Sequence, residues 1–294
     1  MFDNIVGHDY NKKVFTNILN RGKENLSHAY IFVGNNHLGK RTFAEAVADQ
    51  IVGVKRNLYI IEPEKETISI DKIRDMQNDI ALPPVNGFVN KKVVIIDEAD
   101  KMNESAQNAL LKTLEEPPEY VTMFLIVSDM NRLLQTIRSR GTVISFMPLP
   151  DALISEILSE KRLEKPFESF CMVYINGSYS KARELIESND KVNEYSELYE
   201  VVSEILDFKL KKDDYTFAAT HNYLVENSAY YNDYFTALIN YISKMYYSTS
   251  EERYFKVNNV VTKAYKDIKS GANYSICIMS MLLNISKLNK SKKG

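Results

Sequence analysis

The chain reads as an α/β protein: a parallel β-sheet with helices on both faces, followed by an all-α C-terminal region. Three observations predict this. The runs "AYIFVG" (29–34), "KKVVIIDEAD" (91–100) and "VTMFLIVSD" (121–129) are apolar at successive positions rather than alternate ones, as in strands buried on both faces. Segments of helical periodicity separate them. After "MPLP" (147–150) such runs stop and only helical patterns follow.

The first run ends at Gly34. The segment "KRTFAEAVADQIV" then sets Phe43, Ala44, Val47, Ala48 and Ile51 at helical spacing. The second run is β-branched at Val93, Val94, Ile95 and Ile96 and ends in the acidic pair Asp97–Glu98. "SAQNALLKTLEEPP" predicts a helix stopped at Pro117, because a proline disfavours helix at the residue before it. The third run closes on Ser128. Residues 151–190 predict two short helical stretches, "DALISEILSEKRL" and "ESFCMVYINGSYSKARELIES". From about 191 the helices lengthen and gain Tyr and Phe. Tyr195, Leu198, Tyr199, Val202, Ile205 and Leu206 draw one apolar stripe, and Tyr234, Phe235, Leu238, Ile239, Ile242 and Met245 another. "YSICIMSMLLNISKL" is apolar nearly all round, which predicts burial in its own core or against another subunit.

Composition narrows the function classes. With 294 residues, two or three domains are expected. Apolar residues at 45% and charged residues at 26% are those of an ordinary globular protein. A net charge of −2 gives no global positive field, so any contact with nucleic acid must be a local patch. The start "MFDNIVGHDYNKK" has neither the n-region nor the h-region of a signal peptide. The apolar stretches fall well short of the ~18 residues of a membrane span. Cys171 and Cys277 form no disulfide framework and no C-x-x-C zinc spacing, which fits a cytoplasmic protein.

The stretch "VGNNHLGKRTF" (33–43) carries Gly34, four residues, then Gly39 and Lys40, the core of a Walker A phosphate loop. Such a loop wraps phosphates with backbone N–H groups at a helix N-terminus, and its lysine neutralises charge. The strand before it and the helix after it supply the required context. The second half of such a site is acidic: Asp97 would hold Mg²⁺ through water and Glu98 would orient the attacking water.

Several residues depart from a working site. Arg41 replaces the Ser or Thr whose hydroxyl ligates Mg²⁺, and a guanidinium there repels the metal. Thr42 comes one position late, a rotation of about 100° on a helix. His37 lacks the backbone freedom of glycine at a tight turn.

Further strings carry a resemblance. "SHAYIF" (27–32), "KVVIIDEADKMNESAQNALLKTLEEPP" (92–118) and "LLQTIRSRG" (133–141) resemble the clamp-loader branch of the AAA+ family. "FDNIVGHDYNKKVFTNIL" is similar to that family's opening helix, with Val6–Gly7–His8 where Ile-Gly-Gln is usual. The likeness is close over residues 1–147 and looser to about 190. The C-terminal hundred residues share only helical character.

The resemblance implies a P-loop AAA+ architecture: a RecA-like domain with a degenerate P-loop at 1–148, a small helical lid at 149–190 and a helical collar for oligomerisation at 191–294. In that family ATP lies between neighbouring subunits, and a Ser-Arg-Cys motif lends an arginine to the next subunit's ATP. Here the motif is Ser139–Arg140–Gly141. Arg140 is thus implied as an arginine finger acting in trans, a role worth about 10³ to 10⁵ in rate. The lid arginine of the family's G-S-x-R-x-A string is Ser180 here, with Arg183 nearby but outside the motif position. Ser128 is a candidate first sensor. The implied nucleotide site (Gly34, Gly39, Lys40, Thr42, Asp97, Glu98) is vestigial, binding ATP or ADP weakly or not at all and hydrolysing neither. No metal is expected, and with no cysteine between 41 and 97 the family's zinc cluster is not expected either.

The implied partners are gamma/tau and delta clamp-loader subunits, the beta sliding clamp and, through the complex, primed DNA; Lys101, Lys112 and Arg132 are candidate phosphate contacts. Three rival functions remain: an active clamp-loader ATPase of the gamma/tau type, a small-molecule P-loop kinase, and a scaffold with no chemical role. Arg41 and Ser180 speak against the first. The helical C-terminal region and the lack of an arginine-rich lid speak against the second.

Overall fold

The computed structural model describes residues 2–52, 54–84, 91–206 and 215–290. Two compact units account for them: Met1–Pro150 with Gly177–Ser180, and Asp151–Asn176 with Lys181–Gly294. The segment expected as a lid is divided between these units.

The first unit is built on five parallel strands: β1 (Ala29–Val33), β2 (Leu58–Ile61), β3 (Lys92–Ile96), β4 (Val121–Val127) and β5 (Thr142–Ser145), in spatial order β2-β3-β4-β1-β5. The expected apolar runs form the three central strands. The edge strands β2 and β5 are additional to them. Helices α1 (Asp9–Asn20), α2 (Lys40–Val52), α3 (Ile70–Ala81), α4 (Glu104–Glu115) and α5 (Gln135–Arg138) complete the unit.

Because strand side chains alternate in direction, the sheet builds two cores. Tyr30, Phe32, Val93, Ile95, Phe124 and Ile126 join Phe15 of α1 and Phe43, Val47 and Ile51 of α2. Ala29, Ile31, Val94, Ile96, Met123 and Leu125 join Ile73 and Met76 of α3 and Ala106 and Leu110 of α4. Burying each large side chain contributes about 1.5–3 kcal/mol. The carboxyl ends of β1, β3 and β4 thereby lie side by side, the edge at which ligands bind in open parallel sheets.

The second unit is helical: α6 (Asp151–Ser159), α7 (Lys165–Ile175), most of α8 (Tyr179–Glu187), α9 (Asn189–Leu206), α10 (Tyr215–Glu226), α11 (Tyr231–Thr249), α12 (Glu252–Lys269) and α13 (Tyr274–Lys290). Helix α11 packs on α7 and α12, and α13 packs on α10 and α12. The second stretch expected as one helix is two, α7 and α8. Asn176 leaves α7 in the left-handed region at φ 47° and Gly177 follows at φ 70°, a C-terminal stop. Helix α13 buries one face, Ile278, Met281, Leu282 and Ile285, while Ile276 and Met279 stay exposed. No described helix is long and apolar enough to cross a membrane.

Candidate functional site

The loop between β1 and α2 forms the centre of the site. Gly34 is required by crowding: a Cβ there would lie 2.4 Å from the Phe146 carbonyl oxygen, just beyond β5. His37 and Gly39 hold positive φ of 63° and 74°. The histidine therefore adopts the left-handed turn that a glycine would take more cheaply. The Ser178 hydroxyl donates to the His37 carbonyl at 2.7 Å and steadies that turn.

Lys40, first residue of α2, is 6% exposed. Its Nζ donates to the Gly34 and Asn35 carbonyl oxygens, each at 2.6 Å, so the lysine folds back across its own loop. Burial lowers its pKa, opposed by the charges of Asp100, Asp97 and Glu98.

Arg41 points into the acidic edge of the sheet. Its Nε donates to Glu45 Oε1 at 2.9 Å, one turn along α2. Its Nη1 pairs with Glu62, the residue after β2, and reaches Asp97 Oδ2, directly after β3, at 3.4 Å. One guanidinium thus ties the ends of β2 and β3 to α2. These partners raise its pKa, the Glu45 hydrogen bond most. Asp97 is pushed up by burial, while the Glu98 amide and Arg41 pull it back. The Glu98 N–H donates to Asp97 Oδ1 at 3.0 Å. Glu98 itself pairs with Lys101 at 3.0 Å.

A cleft of about 350 Å³ opens over this loop, lined by Gly39, Lys40, Arg41, Thr42, Asp97 and Glu98 among others. Five of the six expected nucleotide-site residues meet there. The sixth, Gly34, lies beneath as the acceptor for Lys40. Ser128, at the end of β4, and Ser180 also line the cleft. Ser128 Oγ donates to Asp100 Oδ2 at 2.7 Å, and Ser180 Oγ lies 3.1 Å from Ser178 Oγ. Arg183 is engaged within the helical unit, with Glu187 and Glu160. Beside the cleft is a recess of about 130 Å³ with apolar walls from Ile5, Val6, Leu38 and Leu149.

These residues do not fit a magnesium ion. The place between residue 41 and Asp97 holds a fixed cation, the Arg41 guanidinium, 3.4 Å from Asp97 Oδ2. What remains is a polar cleft with one lysine turned onto its own backbone.

Arg140 lies on the surface past the end of α5. Its Nη1 donates to the Thr136 carbonyl and its Nη2 to Glu115 Oε1, both at 2.8 Å. A Cβ on Gly141 would come within 2.6 Å of Ile31 Cγ1, so the cysteine usual in the motif has no room here.

Sequence reasoning did not find the residues that anchor this segment. Asp100, 7% exposed, accepts from Ser128 Oγ and from the Ser128 and Asp129 amides. Gln107 donates to the Met102 and Arg132 carbonyls and accepts from the Leu134 amide at 2.8 Å. Neither signals itself in sequence, because every partner but Met102 is distant along the chain. Glu62 could have been found: it follows "LYII" as Asp97 follows "VVII".

Residues 52–150 match the family model described as "DNA polymerase III, delta subunit". The DNA polymerase III subunit delta' of Pseudomonas aeruginosa is 33% identical over 172 residues, 50% of this chain and 52% of that one. The gamma/tau subunit of Mycoplasma pneumoniae is 30% identical over 54% of this chain and 26% of its own length. The chain thus spans about half of the length of the first of these relatives and about a quarter of the second. Among solved structures, a DNA polymerase III gamma subunit-related protein from Thermotoga maritima shares the fold. It has a TM-score of 0.61 at 18% identity and covers 95% of this chain and 99% of that one.

Proposed function

We propose that this chain, a member of the DNA polymerase III clamp-loader family, is a non-catalytic, delta-prime-like subunit that lends Arg140 to the ATP of a neighbouring motor subunit. The observation that carries the proposal is Arg41, tied to Glu45, Glu62 and Asp97 where a magnesium-binding site needs a hydroxyl and a vacant metal position. Its own cleft then binds ATP or ADP weakly or not at all and does not hydrolyse it. Ser180, in the place of the family's lid arginine, removes a second phosphate contact.

In the neighbour's site, water adds to the γ-phosphorus as the bond to the β–γ bridging oxygen breaks. The products are ADP, inorganic phosphate and a proton. Arg140 would stabilise charge on the phosphate oxygens in that transition state through its planar fork of donors. The partners are gamma/tau and delta subunits, with the beta clamp and primed DNA reached through the complex, in the cytoplasm.

The chemistry of Arg140 itself supports this reading: an exposed cation just past a short helix, with donors to spare. The test is turnover by the purified chain. Incubated alone with ATP and magnesium, it should release no phosphate above background. Brisk magnesium-dependent hydrolysis would favour the gamma/tau-type ATPase instead.

A further inference from the structure

Arg140 is held by its own chain. Glu115, the last residue of α4, receives one hydrogen bond from Nη2, and the Thr136 carbonyl of α5 receives one from Nη1, each 2.8 Å long. A guanidinium carries five N–H donors in one rigid plane. Two are used here, and three remain.

We propose that Glu115 is a positioning residue for Arg140. It fixes the plane of the fork against α4 and α5 and leaves the remaining donors to meet phosphate oxygens of a nucleotide bound by the adjoining subunit. This rests on the role proposed for Arg140 and goes beyond it by assigning that role a support. An exposed arginine just past a short helix otherwise spreads over many rotamers, and that freedom must be lost when the neighbour's transition state forms. Two anchors on two elements freeze them beforehand.

The pair is exposed enough that folding gains little from it: the side chains are 35% and 52% exposed, for arginine and glutamate. The carboxylate therefore acts mainly on orientation, and removing it leaves a folded protein. Glu116, the next residue, is a control of the same charge: it caps the end of α4 through its backbone and does not hold the guanidinium.

The experiment is ATPase kinetics of the reconstituted clamp-loader complex with DNA and clamp, using Arg140→Ala, Glu115→Ala, Glu115→Gln, Glu116→Ala and the double variant Glu115→Ala/Arg140→Ala. Glu115→Ala should lower kcat about tenfold with KM for ATP nearly unchanged, as for a misaligned catalytic group. Glu115→Gln, which keeps an oxygen acceptor, should recover part of the loss. Glu116→Ala should behave as wild type, and the double variant as Arg140→Ala alone. An impaired Arg140→Ala beside a wild-type Glu115→Ala would overturn this inference and leave the finger standing. So would a raised kcat in Glu115→Ala, or losses that simply multiply in the double variant. An Arg140→Ala complex with full activity would instead remove the reading beneath it.

Discussion

Arg41→Thr deletes one guanidinium and restores the hydroxyl that a magnesium-binding P-loop carries at that position. The cost follows from the three ion pairs it breaks. Arg41 is 42% exposed and its partners Glu45 and Glu62 are 37% and 51% exposed, so water screens both pairs and each contributes about 0.2–1 kcal/mol. Asp97 is 19% exposed and loses its nearest cation, which adds to the cost. The sum is about 1–2 kcal/mol, a fall in Tm of roughly 5 °C for a unit of this size. The variant should then regain stability from magnesium and ATP, about 1.4 kcal/mol at ten times the dissociation constant. For the wild type, magnesium should add nothing to the effect of nucleotide. Thermal melts with and without MgATP, and with ATP in EDTA, read all of this. A variant that melts like the wild type without ligand would show that these ion pairs contribute nothing. A wild type that responds to magnesium as strongly as the variant does would show that Arg41 does not exclude the metal.

Other consequences concern packing and protonation. Because burial raises the Asp97 pKa, the folded state holds that proton more tightly than the unfolded chain; its stabilising effect is present at low pH and lost as pH rises through the raised pKa. The penalty of Arg41→Thr should therefore be largest near neutral pH and shrink as pH falls through the carboxylate range, as measured by urea titrations across that range. Gly141→Ala drives a methyl into Ile31 and should cost about 1–3 kcal/mol, the range for overpacking; adding Ile31→Val, which deletes Cδ1, should return part of it. Gln107→Leu leaves the Leu134 amide and the Met102 and Arg132 carbonyls without their partner. It should cost about 1–3 kcal/mol and raise hydrogen exchange over 128–140.

Much of this fold was legible in the sequence because the central strands are buried on both faces. Val93 to Ile96 and Val121 to Val127 are buried at every position, and an unbroken apolar run records that directly. The edge strands were not legible for the converse reason: β5 buries only Ile144 of its four residues and β2 only Ile61, too little pattern to separate from a loop. The break between α7 and α8 is written in the Asn176–Gly177 pair, a left-handed stop inside an otherwise helical string. Within the site, Lys40, Arg41 and Asp97 could be named from spacing alone. That Lys40 turns onto its own loop and that Glu62 completes the grip on Arg41 depend on where separate strands end. Local periodicity does not carry that.

One paired measurement tests at once whether Arg140 is lent to a neighbouring subunit and whether the cleft behind it is idle. In the reconstituted complex, DNA-stimulated ATPase is compared for Arg140→Ala and Lys40→Ala. Arg140→Ala should lose at least about a thousandfold in kcat, the lower end of the scale of an arginine finger, while Lys40→Ala stays near wild type. A complex indifferent to Arg140 would contradict the loan, and one that fails when Lys40 is removed would contradict the idle cleft.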